Sequence, residues 1–213
     1  MTTERQTALI TVETWVREQV KSDKAVAHGW LHTDRVRRNI RLLAAAEGID
    51  PVLAEIAALL HDVGRTLPGP ESEHGARSAA MAEPLLAGLP LSEDERRAVL
   101  YAVSWHNSKR DDTPLLRILR DADMLDALGA TGIMRAYMSN AHRPPYDTGA
   151  ILDLDAPFDL DDIQQPSLFA SDQVRRQLKF YDWLNTDTAR QIAGERAAFM
   201  RSFLTQMRRE LST

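Results

Sequence analysis

Apolar residues recur at three- and four-residue intervals along nearly the whole chain, and no stretch alternates apolar with polar over the length of a strand. The pattern predicts an all-α fold, a helical bundle. A first helix is expected from about Glu4 to Val20. A second runs from about Trp30 to Glu47, where Val36, Ile40, Leu43 and Ala44 share one face and Gly48 stops it. Asp50-Pro51 reads as the N-cap and first-turn proline of a third helix. Val52, Leu53, Ile56, Ala57, Leu59 and Leu60 leave that helix little polar surface, so it belongs at the centre, and it ends at His61-Asp62-Val63-Gly64. Further helices are expected from about Ser72 to Leu86, from the capping box of Ser92 and Glu95 to about His106, from Pro114 to the Asp121 region, and from Thr131 to Asn140. Residues 142–170 lack helical periodicity and are rich in Asp and Pro, which predicts a long acidic loop or lid. Two helices, near Ser171–Leu184 and Asp187–Leu211, close a single domain over 1–213 with its core at about 25–140.

Composition narrows the function. Apolar residues make up 44% and charged residues 27%, the balance of a globular protein. With no cysteine, disulfides, thiolate ligands and a cysteine nucleophile are excluded, which fits a reducing, cytoplasmic setting. No apolar run approaches a membrane span, and the N-terminus does not read as a secretory signal. A net charge of −5 argues against a general nucleic-acid backbone binder. It leaves room for a small anionic substrate met through a bound cation.

The histidines carry that cation's signature. His61 and Asp62 are adjacent at the end of the most apolar helix, where an unpaired polar pair is costly to bury. His32 stands one turn before Val36, and Asp121 lies on a later helix in Arg120-Asp121-Ala122-Asp123. Two imidazoles and two carboxylates without sulfur suit Mn²⁺, Fe²⁺, Mg²⁺, Co²⁺ or Ni²⁺, with Zn²⁺ also accommodated.

His32-Thr33-Asp34-Arg35-Val36, then Ala58-Leu59-Leu60-His61-Asp62-Val63-Gly64-Arg65, then Asp121 resembles the H…HD…D signature of the HD-superfamily phosphohydrolases. The segments from His28 to Val36 and from Asp121 through Asp126 and Gly129 to Gly132 are similar to a branch of small bacterial HD hydrolases, and the likeness extends over nearly the whole chain. The resemblance implies an all-α HD bundle in which His32, His61, Asp62 and Asp121 bind a divalent cation. His74 and His106 resemble the two extra histidines that bind a second ion in some members, so one or two metals per chain are expected. The implied chemistry is hydrolysis of a nucleotide or other small phosphorylated metabolite by metal-activated water. Arg35 and Arg65 are placed on phosphate oxygens, His28 with the substrate, and Asp123 as the group that orients water or a ligand histidine.

The chain departs from the family twice. Leu31 stands before the first ligand where an Asp is frequent, and no acid follows the HD pair closely, so no general base is evident. A di-iron oxygenase with the same six-ligand pattern is the rival reading, and a non-catalytic binding module ranks behind it. A homodimer through the last two helices stays open.

Overall fold

Every described element is helical, as the apolar periodicity requires. The computed structural model describes residues 3–20, 28–108, 113–143, 145–146 and 170–211. The chain divides into two units, 1–123 and 124–213, each described by itself.

The first unit is built around α3 (Pro51–Leu60). Asp50 caps it, its carboxylate accepting from the backbone N–H groups of Val52 and Leu53, and Pro51 fills the first turn. Ile56, Leu59 and Leu60 are completely buried, and α1 (Thr3–Gln19), α2 (Trp30–Glu47) and α5 (Glu93–Trp105) all pack against this helix. Each such side chain contributes about 1.5–3 kcal/mol. α2 ends at Gly48, whose φ of 66° is the left-handed cap that its place after the last apolar turn predicts. The capping box of Ser92 and Glu95 opens α5 with both of its hydrogen bonds formed.

One polar residue of α3 is also buried. Glu55 accepts from Arg37 at 2.7 Å and from Arg41 at 2.6 and 2.9 Å, and Arg37 continues to Glu13 on α1 at 2.8 Å. This ion network joins α1, α2 and α3.

After α3 the chain makes a 3-10 turn, Val63–Thr66, and a second short one, Glu71–Glu73, before α4 (His74–Ala87). A Cβ on Gly64 would lie 2.4 Å from the Ser78 backbone nitrogen and 2.5 Å from the His74 carbonyl oxygen. Only glycine lets this turn lie so close to α4. Gly75 does the same between α4 and α5, where a Cβ would meet the Ser104 carbonyl oxygen at 2.7 Å.

α6 (Pro114–Asp126) runs five residues past the end expected at Asp121. It is fixed to α2 by Asn39, whose Nδ2 donates to the Ala122 carbonyl at 3.0 Å. Arg120 on α6 donates to the carbonyls of Trp105 (3.1 Å) and Ser108 at the end of α5.

In the second unit, α7 (Gly129–Ser139) and α8 (Ala170–Leu178) pack together, and α7 packs on α10 (Asp187–Leu211). The buried stripe of α10 is Ala189, Ala193, Ala197, Met200 and Leu204. The helix expected over Ser171–Leu184 is two: α8 and α9 (Phe180–Trp183). They are separated at Lys179, where bonds from Lys179 N to Arg176 O and from Asp182 N to Lys179 O tighten the turn. The expected lid falls mostly on 147–169, outside the described residues. Among the described residues no helix is long and apolar enough to cross a membrane.

Candidate metal centre

Four helices of the first unit deliver imidazoles to one place. His32 comes from the first turn of α2, His61 from the end of α3, His74 from the first residue of α4, and His106 from the end of α5. All four are buried. The ring centroids of His32 and His61, of His61 and His106, and of His74 and His106 lie 5.2, 5.2 and 4.9 Å apart. Gly64 and Gly75 make the array: the first brings α4 to the His61-Asp62 turn, the second brings α4 to α5.

Three of the rings are held in one tautomer by the backbone. His61 Nδ1 donates to the Ala58 carbonyl at 2.7 Å, His74 Nδ1 to that of Glu71 at 2.6 Å, and His106 Nδ1 to that of Val103 at 2.8 Å. In each the acceptor lies three residues earlier. The proton is thereby kept on Nδ1, and Nε2 presents its lone pair to the centre. An arginine nitrogen of Arg65, which can only donate, lies 3.1 Å from His74 Nε2 and agrees with this. His74 Nε2 and His106 Nε2 nevertheless face each other at 3.0 Å, and His32 Nε2 and His61 Nε2 at 3.2 Å. With the protons of His74 and His106 both on Nδ1, their facing Nε2 lone pairs repel at that distance unless a cation lies between them.

Asp62 stands between the two pairs. Its Oδ2 lies 2.7 Å from His28 Nδ1, 3.4 Å from His32 Nε2 and 3.6 Å from His61 Nε2. Its Oδ1 lies 2.8 Å from Arg65 Nε, 3.2 Å from His74 Nε2 and 3.7 Å from His106 Nε2, and it is buried without a well-formed hydrogen bond. An ionised oxygen in that state is costly unless a cation lies beside it, and here the Arg65 guanidinium does. Asp123 adds a second carboxylate, with Oδ1 3.5 Å from His32 Nε2.

The charge states are those a metal requires. Burial pushes the His61 imidazole down to about 4, against the pull of Asp62 and Asp123, so it is neutral at pH 7. Burial also lowers His28, partly offset by its bond to Asp62. For Asp62, burial would raise the carboxyl, but His61, His106, His28 and His32 around it hold it well below the usual carboxylate range. Asp123 is likewise lowered, burial being outweighed by His61 and His32. The donor atoms converge in three overlapping sets: His28, His32 and Asp62; His32, His61 and Asp123; His61, Asp62 and His106. The ionised carboxylates and the opposed Nε2 atoms of His74 and His106 fit a divalent cation.

Comparison with known proteins places this geometry. The HD domain family matches residues 29–128, the segment that supplies all of these donors except His28. Residues 29–128 are an HD domain. The chain is 27% identical over 208 residues to the YpgQ protein of Bacillus subtilis (strain 168), covering 94% of this chain and 92% of that one. An HD-superfamily hydrolase from Bacillus thuringiensis is 27% identical with a TM-score of 0.71, over 98% of this chain and 99% of the other. A predicted HD-superfamily hydrolase from an uncultured Thermotogales bacterium is 27% identical with a TM-score of 0.66, over 93% and 90%. YpgQ in complex with ADP shares the fold at 23% identity, with a TM-score of 0.74 over 97% of this chain and 96% of that one.

Within the HD site the two nearby carboxylates of α6 are placed differently. The sequence pattern puts Asp121 beside the HD pair, with Asp123 in a supporting role. The structure brings Asp123 to the histidines, whereas Asp121 is absent from the three donor sets and is fully buried. The reason is the length of α6. Both residues are inside one continuous helix, and positions two apart project about 200° from each other. Asp121 shares its face with Ile118 and Leu125, both buried, which is the signal in the sequence that separates the two. Leu31, in place of the expected acid, is 72% exposed. Arg35 is half-buried one turn beyond His32. Arg65 does not extend outward: Nε is at Asp62, one terminal nitrogen at His74, and the other at Glu71. His28 is on Asp62 and only a third of its side chain is exposed.

Proposed function

We propose that this HD domain is a metal-dependent phosphohydrolase acting on a nucleotide or similar small phosphorylated metabolite. The observation that carries the reading is the convergence of His32 Nε2, His61 Nε2, Asp62 Oδ2 and Asp123 Oδ1 through contacts of 3.2–3.6 Å. These four hold the catalytic ion, with Asp123 taking the place the family pattern gave to Asp121. When bound, such an ion acidifies a water and polarises a phosphoryl oxygen, which is what hydrolysis without a covalent intermediate needs.

The chain's own groups divide the remaining work. The bond from His28 Nδ1 fixes Asp62 Oδ2, and the backbone carbonyl of Ala58 fixes the ring of His61. Asp123, with 37% of its side chain open to solvent, would present the ion toward the open side of the site. Arg35 lies on the same side of α2 as His32 and is assigned to the phosphate oxygens. The complex of YpgQ with ADP supports a nucleotide as substrate.

The test is metal content together with phosphate or pyrophosphate release from a nucleotide panel in Mn²⁺. Chelator-treated protein should be inactive, Mn²⁺ should restore turnover, and His61→Ala should abolish both metal retention and activity with helix content unchanged. Full activity in the chelated protein would refute the reading. The six-residue set His32, His61, Asp62, His74, His106 and Asp123 also favours a second reading, a di-iron oxygenase. Two irons per chain with O₂ consumption and no phosphate release would establish it instead.

A further inference from the structure

Asp62 has two sides, and they are not alike. Oδ2 faces His28, His32 and His61. Oδ1 faces His74 and His106, and there a cationic side chain is already present. Arg65 Nε is 2.8 Å from Oδ1, and a terminal nitrogen is 3.1 Å from His74 Nε2. Its other terminal nitrogen is held by Glu71 at the surface. The guanidinium therefore addresses two of the atoms that a second ion would have to take: Asp62 Oδ1 and the His74 Nε2 lone pair.

A guanidinium cannot be deprotonated in a protein and cannot share those atoms with a divalent ion, since like charges a few ångströms apart in a buried site repel strongly. The Nε contact with Oδ1 is close but is not aligned as a hydrogen bond. It acts as a charge rather than as a directional fork. Its anchor, Glu71, is 75% exposed and so is weakly held.

We propose that Arg65 is a built-in cation on the Oδ1 side of Asp62. The chain accordingly binds one divalent ion tightly, and a second enters only when Arg65 withdraws. The inference rests on the metal-centre reading above and goes beyond it in assigning the metal count to one side chain. It also takes Arg65 out of the phosphate-binding role expected from sequence and makes it a positioning residue.

The experiment is an Mn²⁺ titration of chelator-treated full-length protein, with bound metal counted after desalting and the electron paramagnetic resonance spectrum recorded. Wild type should hold one uncoupled ion per chain. Arg65→Ala should hold two, its second-ion affinity raised at least tenfold and its spectrum showing spin coupling between neighbouring ions. Arg65→Lys, which keeps a cation, should stay at one. Glu71→Ala leaves every donor in place and should shift the second affinity in the same direction by a smaller factor, so it decides the matter if Arg65→Ala folds poorly. Two equally tight ions in wild type, or a single ion in both Arg65→Ala and Glu71→Ala, would overturn the proposal while leaving the metal centre intact. No ion in any form would remove the metal-centre reading itself.

Discussion

At the scale of single residues, the site turns on which of two nearby carboxylates faces the histidines. Asp123 Oδ1 lies 3.5 Å from His32 Nε2, while Asp121 lies on the face of α6 shared with Ile118 and Leu125. The two should fail in different ways. Asp123→Asn should weaken metal binding by at least tenfold, measured by titration, with the melting temperature of the metal-free protein nearly unchanged. Asp121→Asn should leave metal affinity close to wild type and lower the melting temperature, by roughly 1–3 kcal/mol of stability, because it disturbs a buried polar group. The opposite assignment of losses would return the ligand role to Asp121. Sequence alone made the HD pair and His32 legible because a His-Asp pair directly after Ala57-Ala58-Leu59-Leu60 is too costly to bury without a partner. It did not separate Asp121 from Asp123, because that depends on where α6 stops. Nor did it show where Arg65 points, since a side chain three residues past the HD pair can swing outward or inward at no cost in pattern.

At the scale of elements, the array is a product of close approach. The turn after α3 lies against α4 because Gly64 has no side chain, and α4 lies against α5 because Gly75 has none. Gly64→Ala would set a methyl group 2.4 Å from the Ser78 nitrogen and 2.5 Å from the His74 carbonyl, both backbone atoms that cannot swing away. We expect a loss of about 3 kcal/mol in chemical denaturation, together with weaker metal binding as the turn that carries His61 and Asp62 is displaced. Unaltered stability would mean the turn has more freedom than its contacts indicate. Most helix ends could be read in advance because they carry local chemistry: Asp50-Pro51, Gly48, and the Ser92–Glu95 box. The end of α6 carries no comparable stop signal, and the division at Lys179 leaves no trace in the apolar pattern.

At the scale of the molecule, the all-α architecture followed directly from periodicity, and the HD bundle is what places a charged network beside an apolar centre. Glu55 is the polar exception on α3 and joins α1 and α2 to it. Burial would raise its carboxyl, but hydrogen bonds from Arg41 and Arg37 bring it below its ordinary 4.5. A depressed carboxyl contributes stability above its unfolded value and loses it as pH falls through the folded one. Glu55→Gln should therefore cost about 2 kcal/mol at neutral pH, and the difference from wild type in urea melts should shrink below about pH 4.5. A constant difference down to pH 3 would show that packing, not charge, is what Glu55 supplies. The three histidine locks have a consequence of another kind. Their acceptors are the main-chain oxygens of Ala58, Glu71 and Val103, and these remain whatever side chains occupy those positions. Drift at 58, 71 and 103 over evolutionary time leaves the ring orientation untouched. A comparison of side chains at these three places would give no sign of the main-chain bonds on which the chemistry of the site depends.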